Sequence, residues 1–142
     1  MSPPPEKPRV LDVGQCDFDH GNISRTLATR FGVEVDRCHT VDEALQAVKG
    51  KKYQLVLVNR VFDRNGEEGL KLIERLRATG GASDGRPTVM LVSNFADAQE
   101  AAMKSGAVKG FGKAALESEE TQRTLEDVLG STRNRAAMNP RG

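Results

Sequence analysis

The sequence is poor in cysteine and aromatic residues, and it contains no long apolar run. Two cysteines among 142 residues are too few for a disulfide scaffold and agree with a reducing compartment. No apolar stretch approaches the roughly 20 residues that a membrane-spanning helix needs. The first residues, MSPPPEKP, lack the apolar core of a signal peptide. We therefore expect a cytoplasmic protein.

The chain also lacks an excess of charge of either sign. Lys and Arg number 21 against 20 Asp and Glu, whereas attraction to nucleic acid or to an anionic membrane requires a basic field. Neither nucleic acid nor a membrane is therefore expected as a partner. The length and the 37% share of hydrophobic residues fit a single globular domain with its own core.

Short apolar runs alternate with helical patterns between residues 8 and 130. The runs predict five strands, at residues 9–14, 33–38, 54–59, 88–93 and 108–112. Apolar residues three and four apart predict helices between and after the strands, with Thr40 and Glu43 as a capping box and Gly80-Gly81 ending the third helix. Residues 1–7 and 131–142 lack such patterns and are predicted to be flexible. The alternation predicts an α/β domain whose parallel sheet carries helices on both faces.

In a doubly wound sheet, functional groups gather beyond the carboxyl ends of the strands. At these ends the sequence places Gly14-Gln15, Cys38-His39, Asn59, Ser93 and Lys113. No glycine-rich phosphate-binding loop follows the first strand, so nucleotide binding is not expected.

Several of these residues form a familiar pattern. Ser93 ends the fourth predicted strand, Phe111 lies two residues before Lys113, and Gly106-Ala107 precedes the fifth strand. With this order of elements, residues 8–130 resemble the response-regulator receiver family. The resemblance implies a flavodoxin-like fold, with five parallel strands in the order 2-1-3-4-5 and five helices. It also implies a role in bacterial two-component signalling, with a histidine kinase or a downstream effector as the partner.

The chain departs from that family at the reactive positions. The family has an acidic pair after the first strand and a phosphoacceptor Asp at the end of the third, where this sequence has Gly14-Gln15 and Asn59. An amide has no anionic oxygen to attack a phosphoryl group, and neutral side chains do not offset the dehydration of Mg²⁺. We therefore predict a pseudo-receiver, a non-catalytic and phosphorylation-independent interaction module that does not bind Mg²⁺.

The sequence also predicts contacts for individual residues of the neutral pocket and of the partner surface. Asn59 is predicted to hydrogen-bond Lys113 or Ser93, while Ser93 alternatively caps the fourth helix. Ala114 stands where the family usually has Pro, so the Lys113–Ala114 peptide is expected to be trans. By resemblance, the fourth helix, the fifth strand and the fifth helix form the partner surface. Met103 and Phe111 are its predicted contacts, Phe111 being alternatively a packing residue, and a weak homodimer is a further expectation.

Two alternatives stay open. Asp63, four residues after Asn59, or Asp17 or Asp19 after the first strand, could replace the missing acids, which would make the protein a phosphorelay receiver. The second alternative is a metal or thiol site formed by the cysteines and histidines that follow the first two strands, although their spacing is poor. These residues are Cys16, His20, Cys38 and His39.

Overall fold

A computed structural model describes residues 8–79 and 87–130 of the protein. The predicted flexible segments 1–7 and 131–142, and the predicted Gly80-Gly81 stop, lie outside these residues. The five strands are β1 (Arg9–Val13), β2 (Glu34–Cys38), β3 (Leu55–Asn59), β4 (Thr88–Val92) and β5 (Val108–Phe111). They pair in parallel in the order β2-β1-β3-β4-β5, which confirms the predicted fold class.

Five helices connect the strands and cover the sheet. They are α1 (Asp17–Phe31), α2 (Val41–Gly50), α3 (Gly69–Thr79), α4 (Ala96–Lys104) and α5 (Glu119–Leu129), and a short 3₁₀ turn spans Lys113–Ala115. Thr40 caps α2 as predicted, because its hydroxyl accepts a hydrogen bond from the Glu43 N–H at 3.0 Å. The return bond of the predicted box is displaced by one residue, since the Glu43 carboxylate accepts from the His39 N–H at 2.7 Å.

Alternating residues of the strands contribute their side chains to two separate hydrophobic cores, one on each face of the sheet. One face of the sheet packs against α1 and α5 through residues such as Leu57, Leu27 and Leu125. The other face packs against α2, α3 and α4 through residues such as Val56 and Ile73. Every residue of β3 is buried, as expected for the central strand of a doubly wound sheet. Within the described ranges, no helix is long and apolar enough to cross a membrane.

The pairing between β4 and β5 is irregular, and one side chain supplies hydrogen bonds to the backbone there. The register shifts between Met90 and Val92, which leaves backbone groups without strand partners. Gln99 of α4 fills this gap, because its amide nitrogen donates to Leu91 O at 2.8 Å and to Ser93 O at 3.1 Å. Its amide oxygen accepts from the Gly110 N–H at 3.0 Å. Gln99 thereby fixes the strand ends that carry Ser93 and the segment leading to Lys113.

Candidate functional site

A cavity of about 320 Å³ opens at the carboxyl edge of the sheet; we refer to it as the carboxyl-edge cavity. It brings together three residues that the sequence placed in the site, namely Asn59, Ser93 and Lys113. The other lining residues are Cys16, Arg60, Val61, Asp63, Val92, Asn94 and Phe95. The predicted site residues Gly14, Gln15, Asp17 and Phe111 do not line it.

Asn59 is held by the backbone rather than by the partners predicted for it. Its amide nitrogen donates to Gly14 O at 2.9 Å and to Val61 O at 2.7 Å. The predicted bond to Lys113 or Ser93 is therefore wrong for this nitrogen. Because both partners are carbonyl oxygens, the Asn59 atom that contacts them must be a donor, and it is therefore the amide nitrogen. Asn59 thus ties the end of β3 to the loop after β1 and to its own following loop.

The place of the family's acidic pair is filled by packing. Gly14 has a φ of +84°, a conformation that favours glycine, and a Cβ added there would overlap the ring of Phe62. Phe62 is 1% exposed and belongs to the core on the α2 and α3 side. Gln15 is also buried, and neither atom of its side-chain amide has a hydrogen-bond partner within residues 8–79 and 87–130. These two positions offer the cavity no carboxylate.

Lys113 points to an acid from α1. Its Nζ lies 2.8 Å from Asp19 Oδ2, and the Cys16 thiol donates to the same oxygen at 3.4 Å. Of the two acids considered as replacements after the first strand, Asp19 is the one beside Lys113. Asp17 instead turns outward and pairs with Arg37 at 2.8 Å, and this hydrogen bond lowers the pKa of the Asp17 carboxyl.

The side chains of Ser93 and Phe111 both contact the surrounding protein. The Ser93 hydroxyl accepts from the Phe95 N–H at 3.1 Å, so it bonds the backbone just before α4, close to its predicted alternative role as a cap. Phe111 is only 5% exposed and packs with Leu116 and Leu125. Of the two roles predicted for Phe111, the packing role is confirmed, because this side chain is buried in the core that includes residues of α5. Met103 is 39% exposed and remains available to a partner.

The cysteines and histidines do not converge on a common site. Cys16 bonds Asp19, whereas His20 Nδ1 lies 2.7 Å from Asp12 Oδ2. Cys38 is buried, and its burial raises the pKa of its thiol to about 11. In the described part of the chain, no group of three or more His, Cys, Asp or Glu residues is arranged to hold a metal ion. The geometry gives the metal or thiol alternative no support.

Asp12 is a charged residue that sequence reasoning missed. It is fully buried in β1, and its Oδ1 has no hydrogen-bond partner among the described residues. Burial raises the pKa of its carboxyl group, and the contact with His20 partly opposes that shift. The signal in the sequence was an Asp inside the apolar run of β1, eight residues before a histidine.

The loops after β3 and β4 each contribute one further residue that was not predicted. The Arg60 guanidinium lies 5.0 Å from the centre of the Phe95 ring, a cation–π distance. Phe95 is 56% exposed, so the pair forms part of the cavity's outer wall. Nothing in the spacing of these residues, 35 apart in sequence, marks them as neighbours.

The donor set around the cavity does not fit Mg²⁺. Among the lining residues, Asp63 supplies the only carboxylate, and the same lining contains the cationic side chains of Arg60 and Lys113. Mg²⁺ sites use one or two carboxylates together with phosphate oxygens and water, and nearby cations oppose its binding. The peptide after Lys113 is trans, since the described residues contain no cis peptide, as the Ala114 replacement predicted.

The strand order and the helices on both faces match the flavodoxin-like receiver fold. No protein-family profile matches the sequence, and no curated protein matches it. Solved structures with the same fold include the receiver domain of NtrX from Brucella abortus, with a TM-score of 0.71 and 19% identity. That match covers 84% of this chain and 97% of the NtrX domain.

Two further structures extend the comparison. The signal receiver domain of a DNA-binding response regulator from Colwellia psychrerythraea 34H has a TM-score of 0.70 and 15% identity, over 87% of this chain and 98% of that one. A response regulator from Burkholderia pseudomallei, whose structure contains a phosphorylated aspartic acid and a calcium ion, has a TM-score of 0.65 and 19% identity. It matches over 96% of this chain and 75% of its own. At these identities, the structural similarity establishes the fold alone.

Proposed function

We propose that the protein is a pseudo-receiver, a protein-interaction module of two-component signalling that works without phosphorylation and without Mg²⁺. The observation that carries the proposal is the pair of hydrogen bonds from the Asn59 amide nitrogen to Gly14 O and Val61 O. In the receiver family this strand end carries the attacking carboxylate. Here the equivalent side chain is a neutral donor whose nitrogen is already committed to the backbone, so it holds the two loops together instead of reacting.

The surroundings of Asn59 support the same proposal. The acidic pair is replaced by Gly14, against which Phe62 packs, and by the buried Gln15. Lys113 already has a carboxylate partner in Asp19, so it is not a free cation for an incoming phosphoryl group. A partner protein, either a histidine kinase or a downstream effector, would then recognise one fixed conformation.

A second function has one observation in its favour. Asp63 lines the same cavity as Ser93 and Lys113, so a phosphorelay receiver that uses Asp63 as the acceptor is the competing proposal. Its side chain is exposed and stands on a loop, and loops position reactive groups less well than strand ends do. Asp17 is a weaker candidate, because it points away from the cavity and pairs with Arg37.

Incubation with acetyl phosphate and Mg²⁺, followed by mass spectrometry of the intact protein, separates the two functions. The pseudo-receiver gains no phosphoryl mass, and Mg²⁺ leaves the amide signals of Gly14 and Asn59 unshifted in NMR spectra. A mass gain that disappears in Asp63→Asn but persists in the matched variant Asp17→Asn would replace this proposal with the phosphorelay receiver.

A further inference from the structure

We propose that Asp12 of β1 and His20 of α1 form a proton-sensitive contact, through which the pH sets the position of Asp19 and of its ion pair with Lys113 at the carboxyl edge of the sheet. We call the contact between Asp12 and His20 the buried pair. This response to protons lies beyond the proposed function and does not depend on it.

Asp12 is a carboxylate inside the fold with little to compensate its charge. The residue is 0% exposed, and its Oδ2 lies 2.7 Å from His20 Nδ1. Its Oδ1 has no hydrogen-bond partner among the described residues, and the neutral amide of Gln15 nearby makes no hydrogen bond there either. A buried carboxylate with a free oxygen is costly unless a cation or a proton neutralises it. Burial accordingly raises the pKa of the Asp12 carboxyl group.

The second charged side chain beside Asp12 belongs to Arg37. The two residues are neighbours in the β1–β2 register. The Arg37 Nη2 atom, however, donates to Gln15 O at 3.0 Å and to Asp17 Oδ1 at 2.8 Å, and its Nε makes no hydrogen bond within the described ranges. A guanidinium also keeps its proton at any ordinary pH. Arg37 therefore supplies a constant positive field and no response to pH.

His20 is the partner of Asp12 whose charge changes near neutral pH. The neighbour of Asp12 on β3 is the apolar Leu57, and none of the buried residues of the two helices on this face ionises. These residues are Ile23, Leu27 and Phe31 of α1 and Thr121, Leu125 and Leu129 of α5. The His20 side chain is 18% exposed, so it connects the buried carboxylate with protons in the solvent.

The first turn of α1 links His20 to the carboxyl edge. The His20 N–H donates to Cys16 O at 2.9 Å, and the Cys16 thiol donates to Asp19 Oδ2 at 3.4 Å. The same oxygen lies 2.8 Å from Lys113 Nζ. Because His20 and Asp19 share one helix while Asp12 belongs to the sheet, any change in the attraction between Asp12 and His20 acts on the acid that holds Lys113.

The buried pair attracts most strongly when it holds one extra proton. The pair then has no net charge, whether the proton makes an imidazolium beside a carboxylate or an imidazole beside a carboxylic acid. When the pH rises and this proton leaves, a net negative charge remains in a buried site, and the bond from the neutral imidazole is weaker than a charge-assisted one. The contact between α1 and β1 therefore weakens as the pH rises.

An NMR titration of the full chain labelled with ¹⁵N tests the coupling. The chain has two histidines, His20 and His39, and histidine is the side chain that ordinarily changes its charge between about pH 5 and 8. We expect the backbone amide signals of Asp19 and Lys113 to shift with the same midpoint as the ring signals of His20. His39→Gln is the matched control and should leave these shifts unchanged.

Three variants test the route of the coupling. His20→Gln and Asp12→Asn should each abolish the shift of the Lys113 amide in this pH range. Asp19→Asn should abolish it as well, although His20 still titrates in that variant. The last variant separates coupling through Asp19 from a direct effect of the His20 charge on Lys113. Unchanged far-UV circular dichroism shows that each variant is folded.

Three results would overturn the proposal. They are a Lys113 amide that does not follow the His20 ring in the wild type, a Lys113 shift that persists in His20→Gln, and one that persists in Asp19→Asn. The first is measured on the wild type, so it decides the matter even if a variant does not fold. Acetyl phosphate tests the proposed function separately, and its outcome leaves this coupling unaffected.

Discussion

Replacing Asn59 by the acid that the receiver family uses is the most informative perturbation of this site. In Asn59→Asp, a carboxylate oxygen would take the place of the nitrogen that lies 2.9 Å from Gly14 O and 2.7 Å from Val61 O. Two donor–acceptor contacts would become contacts between oxygens, at a residue that is 8% exposed. The sequence alone predicts a change of about 1 kcal/mol in either direction, because attraction to Lys113 offsets burial. The structure predicts destabilisation instead.

The magnitude follows from two terms. Each lost hydrogen bond costs about 1 kcal/mol, which gives about 2 kcal/mol for the pair. The charge adds to this, and its cost is limited by protonation of the introduced carboxyl group, which from an ordinary pKa near 3.9 requires about 4 kcal/mol at pH 7. The positive charge of Lys113 offsets part of this cost, but only part, because Lys113 is already paired with Asp19. We expect Asn59→Asp to lower the free energy of unfolding by roughly 3 kcal/mol at pH 7.

The pH dependence distinguishes the charge from the lost bonds. Burial beside two carbonyl oxygens raises the pKa of the introduced carboxyl group above its unfolded value. Its stabilising contribution is then complete below the unfolded pKa and is lost as the pH rises through the folded pKa. The charge accounts for about 1 kcal/mol of the expected deficit, so the folded pKa lies less than one unit above the unfolded value of about 3.9. The deficit relative to the wild type should therefore shrink between pH 7 and pH 4. In Asn59→Ala, which loses the same bonds without a charge, the deficit should stay near 2 kcal/mol.

Urea unfolding of the three proteins at both pH values measures these differences. The inferred role of Asn59 is refuted if Asn59→Asp is as stable as the wild type at pH 7. It also fails if the deficits of the Asp and Ala variants respond to pH in the same way.

Two further predictions concern titrating groups outside the cavity. The raised pKa of Asp12 means that its contribution to stability is present below its unfolded value, near 3.8, and is lost as the pH rises through the folded value. Urea unfolding should therefore show Asp12→Asn gaining stability relative to the wild type as the pH rises, and a constant difference would contradict this. Glu67 has a lowered pKa because it accepts from the Val41 N–H and from Asn65. Its contribution is present above its unfolded value and is lost on acidification, so Glu67→Gln should be less stable at pH 7 and should approach the wild type in acid.

Most of the fold was predictable because its signals are local. Each predicted strand agrees with an observed one to within one residue at either end, and Ile23, Leu27 and Phe31 are buried in α1 as their spacing indicated. Apolar spacing alone does not decide which residues of a helix are buried. In α3, Leu72 is fully buried whereas Leu70 is only half-buried, and in α4 a polar residue, Gln99, is buried because the displaced β4–β5 register needs its amide.

The site was predictable in position but not in detail. Strand ends of a parallel sheet meet at one edge, so Asn59, Ser93 and Lys113 could be placed together without coordinates. The partner that each side chain takes depends on loops that are distant in sequence. Lys113 bonds an acid 94 residues earlier in the chain, Asp19, and no periodicity encodes such a pair. The sequence left two roles open for Phe111 for a related reason, since the face of a four-residue edge strand that turns inward depends on how α5 covers it.

The packing of Phe62 on Gly14 makes the loss of the acidic pair difficult to reverse, and a double-mutant cycle tests this. A side chain at position 14 meets two obstacles, the φ of +84° and the Phe62 ring. The left-handed backbone costs a non-glycine residue about 1–2 kcal/mol, and overpacking adds about 1–3 kcal/mol.

Gly14→Ala should therefore lower the free energy of unfolding by about 3 kcal/mol in the wild type. Phe62→Leu leaves more room, so in that background the same change should cost only the backbone term. The expected coupling between the two positions is about 1–2 kcal/mol, measured by urea unfolding of the four proteins. If the two changes are additive, the ring does not occupy the space of the missing side chain. If they couple as expected, restoring an acid at Gly14 also requires a smaller residue at Phe62, so Asn59→Asp by itself would not recreate the charged pocket of the receiver family.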